Sequence, residues 1–312
     1  MFDLTNPIFT DPDKAREHLE ATRWPHGPFC PHCGEAEDIT PLKGKAHRKG
    51  LHQCNSCRKQ FSVTVGTVFE RSKVPLNKWL AATYLMSSSK KGISAHQIHR
   101  ILGITYKTAW FMCHRIREAM KDDNPAPMGG GSASVEVDET YIGTNDRGRK
   151  YRKRYPHLKD KKRRNMKVVS LVERDGEIRS FKVDKVNSVT VQEILFRNID
   201  RKSHLLTDES PVYFQIGGEY FSHQTVNHGR KEYARGFGIH VNTLEGYFSI
   251  FKRGMKGVYQ HCQEKHLQRY LCEFDFRYNN RKIDDDQRTQ KALEGIAGKR
   301  LTYRRTGDWS HL

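Results

Sequence analysis

The sequence predicts a multidomain α/β protein: a zinc ribbon, then a helix-turn-helix-like helical segment, then an α/β domain. Three observations carry the prediction. Two Cys-x-x-C pairs stand twenty residues apart near the N-terminus. Apolar residues recur at helical spacing over 75–121. Beyond a Pro- and Gly-rich stretch at 122–133 the pattern becomes strand, strand, strand, helix, strand. The chain carries 55 Lys+Arg against 36 Asp+Glu over 312 residues, a formal charge of +19. That balance excludes an acidic, repulsive surface and implies a polyanionic partner, of which nucleic acid is the usual one. Aromatic residues at 10% supply cores and exclude a wholly disordered chain. The longest apolar stretch, 79–86, is far short of the ~20 residues of a membrane span, so no membrane partner is expected. The first residues show neither a basic n-region nor an apolar h-region, so no signal peptide is expected.

Cys30-Pro-His-Cys33 and Cys54-Asn-Ser-Cys57 each form a tight turn that aims two thiolates at one centre. Four thiolates suit tetrahedral Zn²⁺ and close its coordination shell, which makes the zinc structural. The alternating run 58–66, ending in Gly66, reads as a ribbon strand, and the ribbon is expected over 15–70. Residues 71–121 read as helices. Trp79, Leu80, Thr83 and Tyr84 share one face of the first, which closes at Lys90-Lys91-Gly92. Ser94 with Gln97 is a capping box opening a second helix, Gly103 ends it, and Thr105 caps a third that runs to about Met120. Helix, short Gly-containing turn, helix is the pattern of a helix-turn-helix. His99, Arg100, Lys107, Arg115 and Arg117 make it basic, and Arg115 is expected among its DNA contacts.

After the linker at 122–133, an α/β domain is expected over 134–285, followed by a basic tail at 286–312. Residues 134–143 alternate, with Val135 and Val137 on one face and Glu136, Asp138 and Thr140 on the other. Residues 167–176 give a second strand and 178–186 a third, joined as a hairpin over Asp175-Gly176-Glu177. Residues 190–198 read as a helix, and 204–208 as a short apolar strand ending in Asp208. A basic insertion at 146–167 interrupts the first two strands. Between Arg147 and Lys167 stand twelve Lys/Arg against one acid, Asp160. Such a block, with Arg149, Lys150, Arg152, Lys153 and Arg154, reads as a phosphate-binding arm that positions DNA without reading its sequence.

Phosphodiester chemistry often uses two Mg²⁺ ions about 3.5–4 Å apart, and such hard cations need converging carboxylates. Three acids qualify. Asp138 lies mid-strand among apolar residues, Asp208 ends an apolar strand, and Glu245 lies on a helix over 242–253. On that helix Asn242, Glu245, Ser249 and Lys252 fall on one face, with Leu244, Phe248 and Phe251 on an adjoining apolar one.

Val-Asp138-Glu-Thr-Tyr-Ile-Gly, Leu-Thr-Asp208-Glu-Ser and the block His240-Val-Asn-Thr-Leu-Glu-Gly-Tyr-Phe-Ser-Ile-Phe-Lys-Arg-Gly-Met-Lys-Gly257 resemble the bacterial insertion-sequence DDE transposases related to eukaryotic Merlin elements. The two Cys-x-x-C pairs match the zinc ribbon that this group often carries. The resemblance covers roughly 15–285. It implies an RNase H-like catalytic domain over 134–285, with Asp138 and Asp208 as Mg²⁺ (or Mn²⁺) ligands. It leaves the third position to Asn242 or Glu245. Glu245 is favoured, because a carboxylate binds Mg²⁺ better than an amide and because Lys252 follows seven residues later. Lys252 and Arg253 would contact DNA phosphate. The implied activity is excision and integration of a DNA element by hydrolysis and 3′-OH strand transfer. Its implied partners are double-stranded terminal repeats and target DNA, its implied assembly a homodimer or larger, and its implied location the bacterial cytoplasm at the nucleoid.

Rival classes are a non-catalytic zinc-ribbon DNA-binding regulator and a metal-dependent nuclease without strand transfer. A tyrosine recombinase would draw on His266-x-x-Arg269 and Tyr303, but His114-x-x-Arg117 matches as well, as chance predicts with 16 His. Cys113, Cys262 and Cys272 read as packing thiols. His261, Cys262 and His266 lack an obvious fourth metal ligand. His223 and His240 carry no assignment, and Glu136 is a weaker candidate ligand beside Asp138.

Overall fold

A computed structural model describes residues 4–131, 133–143, 165–226 and 240–302. The chain forms two compact units, Met1–Lys121 with Asn280–Leu312, and Asp122–Asn279. Among the described residues no helix is long and apolar enough to cross a membrane.

After a short helix at Pro7–Thr10, the first unit has the helix Pro12–Arg23, capped by Asp11, whose Oδ1 accepts from the Asp13 and Lys14 amides. Three short strands follow, β1 (Ile39–Pro41), β2 (His52–Cys54) and β3 (Gln60–Phe61), antiparallel in that order. Strands this short hold little by themselves. Trp24 packs edge-on against Phe61 at 5.9 Å and His52 at 5.4 Å. Arg23 Nη1 donates to the carbonyls of Val63 and Val65, which ties helix to ribbon.

The helical segment forms as its local signals dictate. Leu76–Ser88 buries Trp79, Leu80, Thr83 and Met86. Ala95–Leu102 opens on the Ser94/Gln97 capping box and closes on Gly103, which is left-handed at φ 58°. Tyr106–Ala119 starts at Thr105, whose side chain accepts from the Thr108 amide. Two helices joined by so short a turn give the helix-turn-helix-like element. The segment read as a basic tail, 286–312, begins within a helix. Asp285–Glu294 is a helix whose Ala292 and Leu293 are buried within this same unit. Arg288 Nη1 donates to the Ser87 carbonyl at 3.0 Å, Val68 N donates to the Ile296 carbonyl, and the Ala119 carbonyl fills the space a side chain would need at Gly295.

The second unit is built on a five-stranded sheet of β4 (Ser134–Ile142), β5 (Met166–Glu173), β6 (Ile178–Val183), β7 (His204–Asp208) and β8 (Ser222–Val226). Their order is β6-β5-β4-β7-β8. The first three are antiparallel, turning at Asp175 (φ 58°), while β7 and β8 run parallel to β4. This is the RNase H-like arrangement. Alternation sorts the faces. Val135, Val137, Val169, Leu171 and Leu205 pack on one side with Val191 and Leu195 of the helix Ser188–Asn198. Val168, Val172 and Ile178 pack on the other with Leu244, Phe248 and Phe251 of the helix Asn242–Gly254, and with Leu271 and Phe274 of the helix Leu267–Asn279. Full burial of each large apolar side chain contributes about 1.5–3 kcal/mol.

Candidate functional site

The four ribbon cysteines converge. Cys30 Sγ lies 3.6 Å from Cys57 Sγ, and Cys33 Sγ 3.6 Å from Cys54 Sγ. All four sulfurs lie within 4.8 Å of one another. A tetrahedron with Zn–S bonds of about 2.3 Å has S···S edges of about 3.8 Å, so the spacing fits zinc. The His32 amide points at Cys30 Sγ and the Cys57 amide at Cys54 Sγ, which supports thiolates there. This is the structural zinc site expected from the two Cys-x-x-C pairs.

The acidic site lies on the second sheet. Asp138 stands opposite Ser170 of β5, on the face toward the Asn242–Gly254 helix. Parallel pairing of β4 with β7 matches Ser134 to His204 and Glu136 to Leu206, an offset of 204 − 134 = 70. Continued two residues past the last of these pairs, the same offset would level Asp208 with Asp138 on the neighbouring strand, facing the same side. Burial, with the charges of Asp208, Glu139 and Glu245, pushes the Asp138 carboxyl up to about 7, against a hydrogen bond from the Glu139 amide. Asp208 and Glu245 therefore lie within electrostatic reach of Asp138. They do not crowd as the cysteines do. Among the described residues only the cysteine set brings three or more potential ligand atoms within 4.8 Å. On the far face of β4, Glu139 accepts a 2.7 Å hydrogen bond from the buried Tyr213 hydroxyl, and burial again raises its pKa.

Glu245 and Asn242 are both exposed in the first turns of their helix, and Val241 provides no side-chain cap for it. The helix is held to the sheet at two points. At one, Asp275 accepts from the Ser180 amide and hydroxyl, both at 2.8 Å, and from the Tyr247 hydroxyl at 2.5 Å. Ser170, the partner of Asp138, donates to Ser180 at 2.8 Å in the same buried network. At the other, Glu136 is wholly buried and takes hydrogen bonds from the Thr243 and Leu244 amides. Its reading as a metal-ligand candidate is corrected here, since its oxygens are committed to the helix. Sequence patterning showed only its shared face with Asp138.

Lys252 and Arg253 are exposed in the last turn. Lys252 Nζ sits 6.0 Å from the Phe248 ring centre, and Arg253 Nη2 donates to Ser249 Oγ at 2.6 Å. Ser249 is thus tied to Arg253 rather than turned to the acids. Arg115 is a second correction. It is 5% exposed, donates to the Glu70 carbonyl at 2.7 Å and stacks over Trp79 and Phe111, so it is a core residue and not a DNA contact. Arg117 is also buried, which leaves Arg100 and Lys107 as the exposed cations of the helix-turn-helix-like pair among those named. Arg149, Lys150, Arg152, Lys153 and Arg154 lie outside the described residues, as does Tyr303. His223 is half-buried, with Nε2 2.8 Å from Thr207 Oγ1 and its ring against Gly217, where any side chain would collide.

Residues 129–279 match the family described as ISXO2-like transposase domain, and residues 10–60 match the transposase zinc-ribbon domain. An uncharacterized protein in transposable element ISH50 of Halobacterium salinarum is 28% identical over 284 residues, covering 86% of this chain and 91% of the relative.

Proposed function

We propose how this chain, which belongs to the insertion-sequence transposases and joins their zinc ribbon to an ISXO2-like transposase domain, performs its reaction: DDE-type hydrolysis at the ends of a DNA element, followed by 3′-OH strand transfer. The observation that carries this reading is the meeting of Asp138 and Asp208 on adjacent parallel strands, with Glu245 near enough for its charge to act on Asp138. Three acids that repel one another without closing together fit hard cations. Asp138, Asp208 and Glu245 would hold Mg²⁺ or Mn²⁺, with Asn242 beside them on the same helix. Bound there, the ions would supply a deprotonated nucleophile and stabilise the leaving oxygen.

In the first step a water oxygen bonds to phosphorus at the element end, and the bond from phosphorus to the 3′ oxygen breaks. A 3′-OH and a 5′-phosphate result. In the second, that 3′ oxygen attacks a target phosphodiester and displaces the target's own 3′ oxygen. One P–O bond forms for each broken, so joining needs no outside energy source. Glu245 presents its carboxylate from the first turns of its helix. Lys252 and Arg253 sit two turns on, placed to meet backbone phosphate. The ribbon and the helix-turn-helix-like pair bind terminal-repeat DNA, and pairing two ends requires a dimer or larger assembly.

The test is Mg²⁺- or Mn²⁺-dependent cleavage and joining of a labelled duplex carrying the element end, wild type beside Asp208→Ala. The expected result is cleavage and joining in wild type and at least a thousandfold loss in the variant, with duplex binding kept. Binding without cleavage in both would overturn the catalytic reading in favour of a DNA-binding regulator. Cleavage without joining would reduce it to a nuclease.

A further inference from the structure

We propose that Glu136 is a positioning residue: from the central strand its carboxylate caps the Asn242–Gly254 helix and so sets Glu245 opposite Asp138 and Asp208. This rests on the reading of those three acids as the metal-binding set.

The first four amides of a helix have no partner within it. Other helices here take a cap from the residue just before them, as at Ser94, Thr105, Asn187 and Asp284. The Glu245 helix starts after Val241, which has no side-chain acceptor. Its cap comes instead from a strand 107 residues earlier. Glu136 Oε2 accepts from the Thr243 amide at 3.1 Å and the Leu244 amide at 3.3 Å, while Oε1 accepts from Thr243 Oγ1 at 2.9 Å. A carboxylate at this end also meets the positive pole of the helix dipole.

The charge is balanced on the spot. Arg174 Nε donates to Glu136 Oε1 at 3.2 Å, and Arg174 Nη2 to the His240 carbonyl at 3.1 Å. One guanidinium thereby holds both the carboxylate and the chain entering the helix. His240 Nδ1 lies 3.2 Å from the same Oε1, within ion-pair distance but off hydrogen-bond alignment. Two donors on each oxygen fill the four acceptor sites of a carboxylate, which leaves none for a cation.

Burying one carboxylate of an ion pair is a costly way to hold a helix, and apolar packing alone would do for folding. Here it does something apolar packing does not: it fixes the helix along its axis and about it at the turn that carries Glu245. Glu136 and Asp138 are two residues apart on one strand face, about 6.7 Å along a rigid central strand. One strand therefore carries a metal ligand and the clamp that places another.

The experiment compares full-length wild type, Glu136→Gln and Thr243→Val. Glutamine keeps the volume and loses half the acceptor sites, while the valine variant removes one bond and retains the carboxylate. Two readouts are taken: amide hydrogen exchange at 242–248, and metal-dependent cleavage of the element-end duplex across Mn²⁺ concentration. In Glu136→Gln, exchange at 242–248 is expected at least tenfold faster, with the Ser188–Asn198 helix unchanged. Its kcat is expected to fall at least tenfold and its half-saturating Mn²⁺ to rise, with KM for duplex unchanged. Thr243→Val should move the same quantities several-fold, and it carries the test if the glutamine variant does not fold. Unchanged exchange would overturn the clamp. Faster exchange with unchanged kcat and Mn²⁺ dependence would overturn the positioning role. A wild type without metal-dependent cleavage would overturn the reading of the acids on which the proposal rests.

Discussion

At Arg115 a charged side chain serves the core of the N-terminal unit. Its guanidinium donates to the Glu70 carbonyl and lies over the Trp79 ring, and burial lowers its pKa to about 10. Arg115→Met is therefore expected to cost roughly 2 kcal/mol in urea unfolding of that unit, mainly because the charged hydrogen bond is removed. The salt dependence of DNA binding should not change, which a titration at several salt concentrations checks. The residue was legible in the sequence as basic and helical, but its direction was not, because a helix reads as amphipathic only when its buried face is apolar. Asp275 is the second informative residue. Burial raises its carboxyl from 3.8 to about 7, with the hydrogen bonds from Tyr247 and Ser180 opposing. Between those two values the folded state holds a proton that the unfolded state has released. Stability is therefore expected to fall as pH rises from about 4 to about 7 and to level off above. Asp275→Asn should flatten that part of a plot of melting temperature against pH.

At the scale of elements, the ribbon is the piece that depends on metal. Its strands have three, three and two residues, and Trp24 packs edge-on against Phe61. Metal binding must then supply most of its folding free energy. One zinc per chain is expected by elemental analysis. A strong chelator should expose all four thiols to a thiol reagent and abolish amide protection over 39–61, and Cys54→Ser should do the same without chelator. The capping signals at Ser94 and Thr105 were readable because each cap lies within three residues of the amide it serves. The start of the Glu245 helix was readable from its apolar spacing alone, since its cap lies on another strand.

At the scale of the molecule, charge dominates. Of the formal +19, the block 147–167 contributes twelve cations against one acid. Duplex affinity is expected to fall steeply with salt. Replacing Arg149, Lys150, Arg152, Lys153 and Arg154 with Gln should lessen the slope of log K against log salt by about 0.9 for each phosphate no longer neutralised, up to about 4–5. On the reading of this block as a phosphate-binding arm, cleavage of duplex already bound should keep its rate. A fluorescence anisotropy titration beside a single-turnover assay separates the two effects.

The sequence by itself determined what depends on neighbours a few residues away. Cysteine spacing specified a four-thiolate site, helix caps marked their own helices, and alternation put Asp138 on the face opposite Val135 and Val137. Tertiary structure alone decided what depends on distant chain. Parallel pairing of β4 with β7 brought Asp208 onto the strand beside Asp138. Packing turned Arg115 inward, and Glu136 found its partners 107 residues on. The helix Asp285–Glu294 joined the N-terminal unit rather than the unit that precedes it in the chain. Local signals persist in sequence because a turn of helix or a strand pair repeats with a fixed period. Long-range contacts carry no period, and they are selected only when the whole core closes.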